Sequence, residues 1–217
     1  MNCIILFINS FLGIRIMKLG KNIISRKKNP FNLLNDWYKE AVKKEIKNPN
    51  AVALSTIGSF NRPRVRMVLM KEIKKDGIVF FTNSESYKGK QIIGNKNVSL
   101  CFYWKSMGKQ VLIGGQIKKI EEKESDEYFF SRDRLSQISA WASKQSRALK
   151  GREILEQRFN DYLKRFKGKE IPRPTYWNGY CVYPKTFEFW LERPNRLHER
   201  VEYKLNSGKW TSKILYP

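Results

Sequence analysis

Histidine is nearly missing from this chain: His198 is the only one in 217 residues. A metal centre built on several imidazoles is therefore excluded. A Ser-His-Asp arrangement would have to use His198, without the GxSxG elbow that presents such a nucleophile. Cysteine is scarce too. Cys3, Cys101 and Cys181 are odd in number, widely spaced and form no CxxC pair, which argues for reduced thiols in a cytoplasm and against a disulfide framework or a zinc site. No GxGxxG and no P-loop stretch occurs, so neither a Rossmann turn nor a nucleotide-phosphate loop is expected. An enzyme with so few catalytic side chains would leave the hard chemistry to a bound cofactor.

Acidic residues are in short supply, 20 against 43 Lys and Arg, for a formal net charge of +23. Nucleic-acid binding is one reading of that excess. The basic residues are spread along the whole chain with no long run, so a solvated Lys-rich surface is the plainer one. Either way, a positive field favours small phosphorylated ligands.

Long apolar runs are missing as well. Cys3 to Ile16 is largely apolar, but Arg15 interrupts it and it is too short to span ~30 Å of hydrocarbon. It lacks the basic start and small-residue cleavage site of a secretory signal. Residues 1–29 therefore read as an N-terminal extension outside the core, with 1–16 dispensable and Met17 an alternative start. Residues 30–217 read as one domain, long enough to hold a core without disulfides.

Along that domain, Pro30–Lys47 places Phe31, Leu34, Trp37, Ala41 and Ile46 at helical spacing. Short runs rich in Val, Ile, Leu and Phe follow at Ala51–Ile57, Arg64–Lys71 and Ile78–Thr82, separated by turn residues. Ser84 or Ser86 can cap a short helix to about Ile93, before strands at Val98–Trp104 and Gln110–Ile120. Glu122–Lys167 is helical in character, and Pro172 and Pro174 close it. Strands return at Tyr180–Trp190, Val201–Leu205 and Trp210–Leu215. Strands, helices, then strands predict an α+β domain with an antiparallel sheet closed into a barrel.

Four clusters could carry chemistry. In Arg64–Lys71, alternation sends Arg64, Arg66, Val68 and Met70 to one face and Lys71 to the other; an edge strand charged against aggregation is the bland alternative. Phe81–Gln91 carries a strand end into a capped helix start with Lys88 and Lys90 in its first turn, a natural seat for a phosphate or simply a solvated basic turn. Tyr128, Arg132 and Ser136, at i, i+4 and i+8, share one face of a continuous helix. Two hydroxyls and a guanidinium suit a phosphate monoester, although an ordinary amphipathic helix reads the same way. Last, Trp190 at a strand end precedes Arg196, Leu197, His198 and Arg200, which would suit a planar cofactor and an anionic substrate.

In order and at this spacing, RxRMVLMK (residues 64–71), FTN with SxK (81–88), YFxSR with SQIxAW and SKQS (128–146), and FEFW with RLHER (187–200) resemble the pyridoxamine 5'-phosphate oxidase family over residues 30–217. The resemblance implies an antiparallel split β-barrel with surrounding helices, forming a homodimer with FMN at the interface. It implies oxidation of pyridoxamine and pyridoxine 5'-phosphate by oxygen to pyridoxal 5'-phosphate, with peroxide, and ammonia from the amine. Carried over by motif, Arg66, Met67, Val68, Leu69, Met70 and Lys71 would lie along the flavin, with Phe81 and Thr82 beside it. Tyr87, Lys88 and Ser146 would serve its phosphate, Gln110 and Gln145 its polar edge, and Trp190 and Arg200 would complete the pocket. Lys71, Tyr128, Arg132 and Ser136 would clamp the substrate phosphate, while Arg196, Leu197 and His198 meet its ring, with Arg196 and His198 in the catalytic role. No metal, nucleic acid or membrane is implied. A related split-barrel flavin oxidoreductase with another substrate, or a basic nucleic-acid-binding barrel, are the competing readings.

The chain departs from the motif in places. Tyr87 stands where the family carries arginine, so one cation at the FMN phosphate is missing and weaker FMN binding is expected. Asp133, Leu135 and Ser139 replace a common Pro, acidic residue and Gly, and Ile214 replaces a basic residue.

Overall fold

The structure, a computed structural model, describes residues 23–217. Among the described residues five α-helices and eight strands follow the expected order: α1 (Pro30–Lys44), β1 (Ala51–Ile57), β2 (Pro63–Ile73), β3 (Ile78–Asn83), α2 (Tyr87–Gly94), β4 (Asn97–Trp104), β5 (Lys109–Lys119), α3 (Glu122–Phe130), α4 (Arg134–Ala142), α5 (Arg152–Arg165), β6 (Trp177–Leu191), β7 (Glu199–Asn206) and β8 (Lys209–Leu215). The sheet runs β3-β2-β1-β4-β5-β6-β7-β8, and an added β3–β6 pairing closes the first six strands into an antiparallel barrel. The long β6 makes this possible. Its first half pairs with β3 and its second half with β7, while β5 runs along the other edge.

Strand alternation places the core. In β1, Val52, Leu54 and Thr56 are buried between partly exposed neighbours, and β4 buries Val98, Leu100, Phe102 and Trp104 in the same rhythm. A bulge opposite Gly114 and Gly115, where Lys185 is the extra residue, bends β6 around the barrel. Gly115 is required there, since a Cβ would stand 2.3 Å from the Tyr183 carbonyl oxygen. The helix α1 starts at Pro30 behind an Asn29 cap that accepts the Phe31 N–H at 2.9 Å. It ends three residues earlier than its apolar spacing suggests, because Glu45 is already extended (φ −79°, ψ 132°) with its N–H donated to the Ala41 carbonyl. Its apolar face covers the barrel through edge-on contacts of Phe31 with Phe187 and of Trp37 with Phe189, each at 5.2 Å.

Two expectations change. Glu122–Lys167 is three helices rather than one block, broken at 131–133 and again at 143–151. And residues 23–29, assigned to the extension, pack on the domain. Ile24 is 2 % exposed within the core. The Glu199 carboxylate accepts the Ile23 and Ile24 N–H groups at 3.1 and 2.7 Å, and the Tyr203 hydroxyl donates to the Ser25 carbonyl. The proposed dispensable stretch 1–16 and the start at Met17 lie outside the described residues.

The helices α3 to α5 gather a second apolar cluster of Phe129, Ile138, Phe166, Ile171 and Trp177. Trp177 opens β6, so this lobe is joined directly to the barrel wall. The candidate site lies at that seam.

Candidate functional site

A cavity of about 450 Å³ opens between β2, β3, the α3–α4 turn and the segment after α4. It gathers Lys71, Tyr128, Arg132 and Ser136 with Phe81, Thr82, Lys88 and Gln145. The sequence spacing brought the first group together for a reason that does not hold. Tyr128, Arg132 and Ser136 are not on one helix. α3 stops at Phe130, and Asp133 caps a new helix by accepting the Ser136 N–H at 2.8 Å. The break turns the chain around the cavity and keeps all three side chains on its wall. Asp133, at the family's proline position, thus serves as a helix cap, and its bonds from Ser136 hold its carboxyl below the usual carboxylate range.

Arg132 is the most telling residue. Its Nη1 is buried and has no hydrogen-bond partner. Its guanidinium lies 4.8 Å from the Trp177 ring centre and 5.7 Å from that of Phe129. Burial pushes its pKa down, so the charge is held against a desolvation cost that an anion would offset. Behind it, Phe81 stacks on Tyr128 at 4.1 Å and on Trp177 at 5.1 Å, and Lys71 lies over the Tyr128 ring at 5.6 Å. These rings fix the clamp by packing. Trp177 went unmarked in the sequence, because nothing local distinguishes it from a strand-start core residue.

Lys88 borders the same cavity, and Arg66, which does not line it, is its cationic neighbour. Ser86, not Ser84, caps α2, taking the Gly89 N–H at 3.3 Å. Lys88 in the first turn is 9 % exposed, and its Nζ donates to Gln145 Oε1 at 2.9 Å and to Ser86 Oγ at 3.3 Å. Burial, with Arg66 nearby, pushes its pKa down to about 8. Arg66 donates to Thr56 Oγ1, to Gln91 Oε1 at 3.1 Å and to the Leu54 carbonyl at 3.3 Å. Among the described residues, Lys71, Arg66, Lys88 and Arg132 make no ion pair with a carboxylate. Thr82 donates to Gln145 at 3.4 Å, and Ser146 follows in the left-handed region at φ 70°. Within β2, Met67 and Leu69 face outward at the cavity, whereas Met70, 3 % exposed, packs inside the barrel and does not line it. Tyr87 also stands apart, lining a neighbouring cavity with Arg64 and Lys90.

Gln110, Trp190, Arg196, Leu197, His198 and Arg200 do not line the cavity of Lys71 and Arg132. Gln110, Trp190, His198 and Arg200 come together elsewhere in this protomer. Gln110 pairs with Trp190 and Trp190 with Arg200, a row across β5, β6 and β7. Trp190 contacts the His198 ring at 4.6 Å, and His198 Nδ1 accepts the Arg193 N–H at 3.2 Å. That bond leaves the proton of the neutral ring on Nε2. Arg200 is paired with Glu188 at 2.9 Å. On the same outer side of the sheet, Met67, Ala53, Cys101 and Leu112 form a second row across four strands; Met67 is 60 % and Leu112 38 % exposed. An apolar face beside half a polar site is a surface suited to a partner.

Comparison with known proteins bears on the family and the fold. The family model described as pyridoxamine 5'-phosphate oxidase matches residues 38–165, and that of the pyridoxine 5'-phosphate oxidase C-terminal dimerisation region matches 177–217. The chain is 47 % identical over 190 residues to a pyridoxine/pyridoxamine 5'-phosphate oxidase of Rhizobium meliloti (strain 1021), covering 87 % of this chain and 92 % of that protein. It is 44 % identical to that of Agrobacterium fabrum, covering 92 % and 98 %. Among solved structures, PhzG from Burkholderia lata 383, in complex with tetrahydrophenazine-1-carboxylic acid, superposes with a TM-score of 0.82 at 33 % identity, covering 87 % of this chain and 93 % of that one. Among the described residues no helix is long and apolar enough to cross a membrane, and no cluster of three or more metal-ligating side chains occurs.

Proposed function

Since this chain belongs to the pyridoxamine 5'-phosphate oxidase family, we propose that it oxidises pyridoxamine and pyridoxine 5'-phosphate to pyridoxal 5'-phosphate in the cytoplasm, as an FMN-dependent homodimer. The observation that carries the reading is Arg132, a half-buried guanidinium whose Nη1 is fully buried without a partner, on a wall shared with Lys71, Tyr128 and Ser136. Those groups fit a phosphate monoester dianion in charge and donor type. The uncompensated Arg66 and Lys88 fit a second one, which the FMN phosphate would supply, with Gln145 accepting from both Lys88 and Thr82.

A bound FMN supplies hydride-accepting chemistry, with oxygen as the final acceptor. The chain's own work is placement. Arg132 and Lys71 anchor the substrate through its phosphate, and that remote binding free energy holds its ring in reacting position. Arg196 and His198 would meet the ring from a second protomer, because the first brings neither to the cavity. The match to a dimerisation region and the outward row through Met67 and Leu112 support that arrangement.

The test is an oxidase assay after FMN addition, with each vitamer offered with and without its phosphate. Activity on both phosphorylated vitamers and far lower kcat/KM without the phosphate are expected. A tetrahydrophenazine carboxylate belongs in the same assay, given the likeness to PhzG; a preference for it over the vitamers would reassign the substrate.

Lys88 predicts a pH dependence. Its pKa is about 8 in the free protein, and a bound dianion must raise it. Above that pH, binding takes up a proton, so FMN affinity falls as pH rises, by up to about tenfold per unit. Between that pH and the phosphate's own titration at about pH 6 the affinity is level. Lys88→Arg keeps its charge throughout and should flatten the profile between about pH 8 and 9.5. Flavin-fluorescence titrations across that window check it; parallel profiles for the two proteins would show that Lys88 is not at the phosphate.

A further inference from the structure

The cations around α2 outnumber those so far given a role. Arg64 lies two residues before Arg66 on β2, opposite Thr56 as Arg66 is opposite Leu54, so both side chains leave the same face of the strand. Its guanidinium is 5.1 Å from the ring centre of Tyr87, the first residue of α2. Arg64, Tyr87, Lys90 and Gln91 wall a cavity of about 640 Å³, and Gln91 also accepts from Arg66. Arg64, Arg66 and Lys88 therefore form a chain of neighbouring positive charges. The hydrogen-bond acceptors of Arg66 and Lys88 are all neutral, and among the described residues no carboxylate pairs with any of the three. Repulsion is felt along the chain: Arg64 lowers the pKa of Arg66, and Arg66 that of Lys88, each after burial. Such crowding is stable when an anion sits among the charges.

We infer that Arg64, seated on the ring of Tyr87, is a cofactor-phosphate residue, supplying from the strand the cation that α2 lacks at position 87. Tyr87 is then a positioning residue. A phenol face can hold a guanidinium in place, and an exposed arginine so held loses less freedom on binding. The expected weakness in FMN binding from the Tyr87 departure is thereby made good. This inference rests on the FMN reading above.

The experiment titrates FMN, and separately riboflavin, into full-length apoprotein by flavin fluorescence. Arg64→Ala should weaken FMN by about 10- to 150-fold, the worth of a hydrogen bond to a charged group, and leave riboflavin binding unchanged. Tyr87→Phe, which keeps the ring, should bind FMN like the parent, and Tyr87→Ala should weaken it. Adding Tyr87→Arg to Arg64→Ala should restore most of the loss, since the cation returns from the helix side. Unchanged FMN affinity in Arg64→Ala, or an equal loss for riboflavin, overturns the assignment. So does a double variant as weak as the single one. A parent protein that binds riboflavin and FMN equally, or neither, overturns the cofactor reading itself.

Discussion

Replacing Arg132 with alanine is expected to lower kcat/KM for the phosphorylated vitamers about 30- to 700-fold, equivalent to roughly 2–4 kcal/mol of transition-state binding, while flavin content stays near that of the parent. The size follows from the setting. The guanidinium is half-buried, lies over the Trp177 and Phe129 rings and has a donor without a partner in the protein, so its bonds to a phosphate form where water competes weakly. Arg132→Lys should recover only part, because a single ammonium cannot reproduce the planar fork. On non-phosphorylated vitamers both variants should match the parent. Loss of flavin with an unchanged KM would instead place the cofactor phosphate at Arg132 and invert the two anion sites.

Arg132 also shows how far the sequence could be read. Its residue type and its company of Tyr128 and Ser136 are legible from the chain, and so is the phosphate chemistry they suit. The helix that was to align them does not exist. Asp133 accepts the Ser136 N–H and starts a new helix, and capping competes with helix propagation on terms that side-chain periodicity does not register. Strands β1 and β4 were legible to within a residue, because alternate burial leaves a period of two, whereas β6 begins three residues before its expected start at Tyr180. Contacts that join distant parts of the chain were not. Ile24 enters the core because a carboxylate 175 residues away accepts its N–H, and no local pattern announces such a partner. Likewise Arg64 passes for a charged edge-strand residue until Tyr87 is seen beneath its guanidinium.

Trp177 is the most consequential residue of that second kind, and Trp177→Ala should both loosen the fold and disable the clamp. The indole is 8 % exposed. It lies nearly parallel to Phe81 at 5.1 Å and to Tyr128 at 6.1 Å, edge-on to Phe129 at 5.2 Å, and carries Arg132 on its face. Truncating a buried Trp costs roughly 3–5 kcal/mol, a large share of the 5–15 kcal/mol that holds a typical domain. The loss falls at the seam between the barrel and the α3–α5 lobe, so the lobe should open first. Hydrogen exchange of α3 and α4 amides should accelerate more than that of β1 and β4. Arg132 would lose a cation–π contact of about 0.5–2 kcal/mol, and KM for the phosphorylated vitamers should rise even where the variant remains folded. Trp177→Phe keeps an aromatic plane for both neighbours and should show a fraction of each effect. A denaturant midpoint and KM both unchanged in Trp177→Ala would mean that the clamp is held by α4 alone, and that the stack of Phe81, Tyr128 and Trp177 contributes nothing to placing the guanidinium.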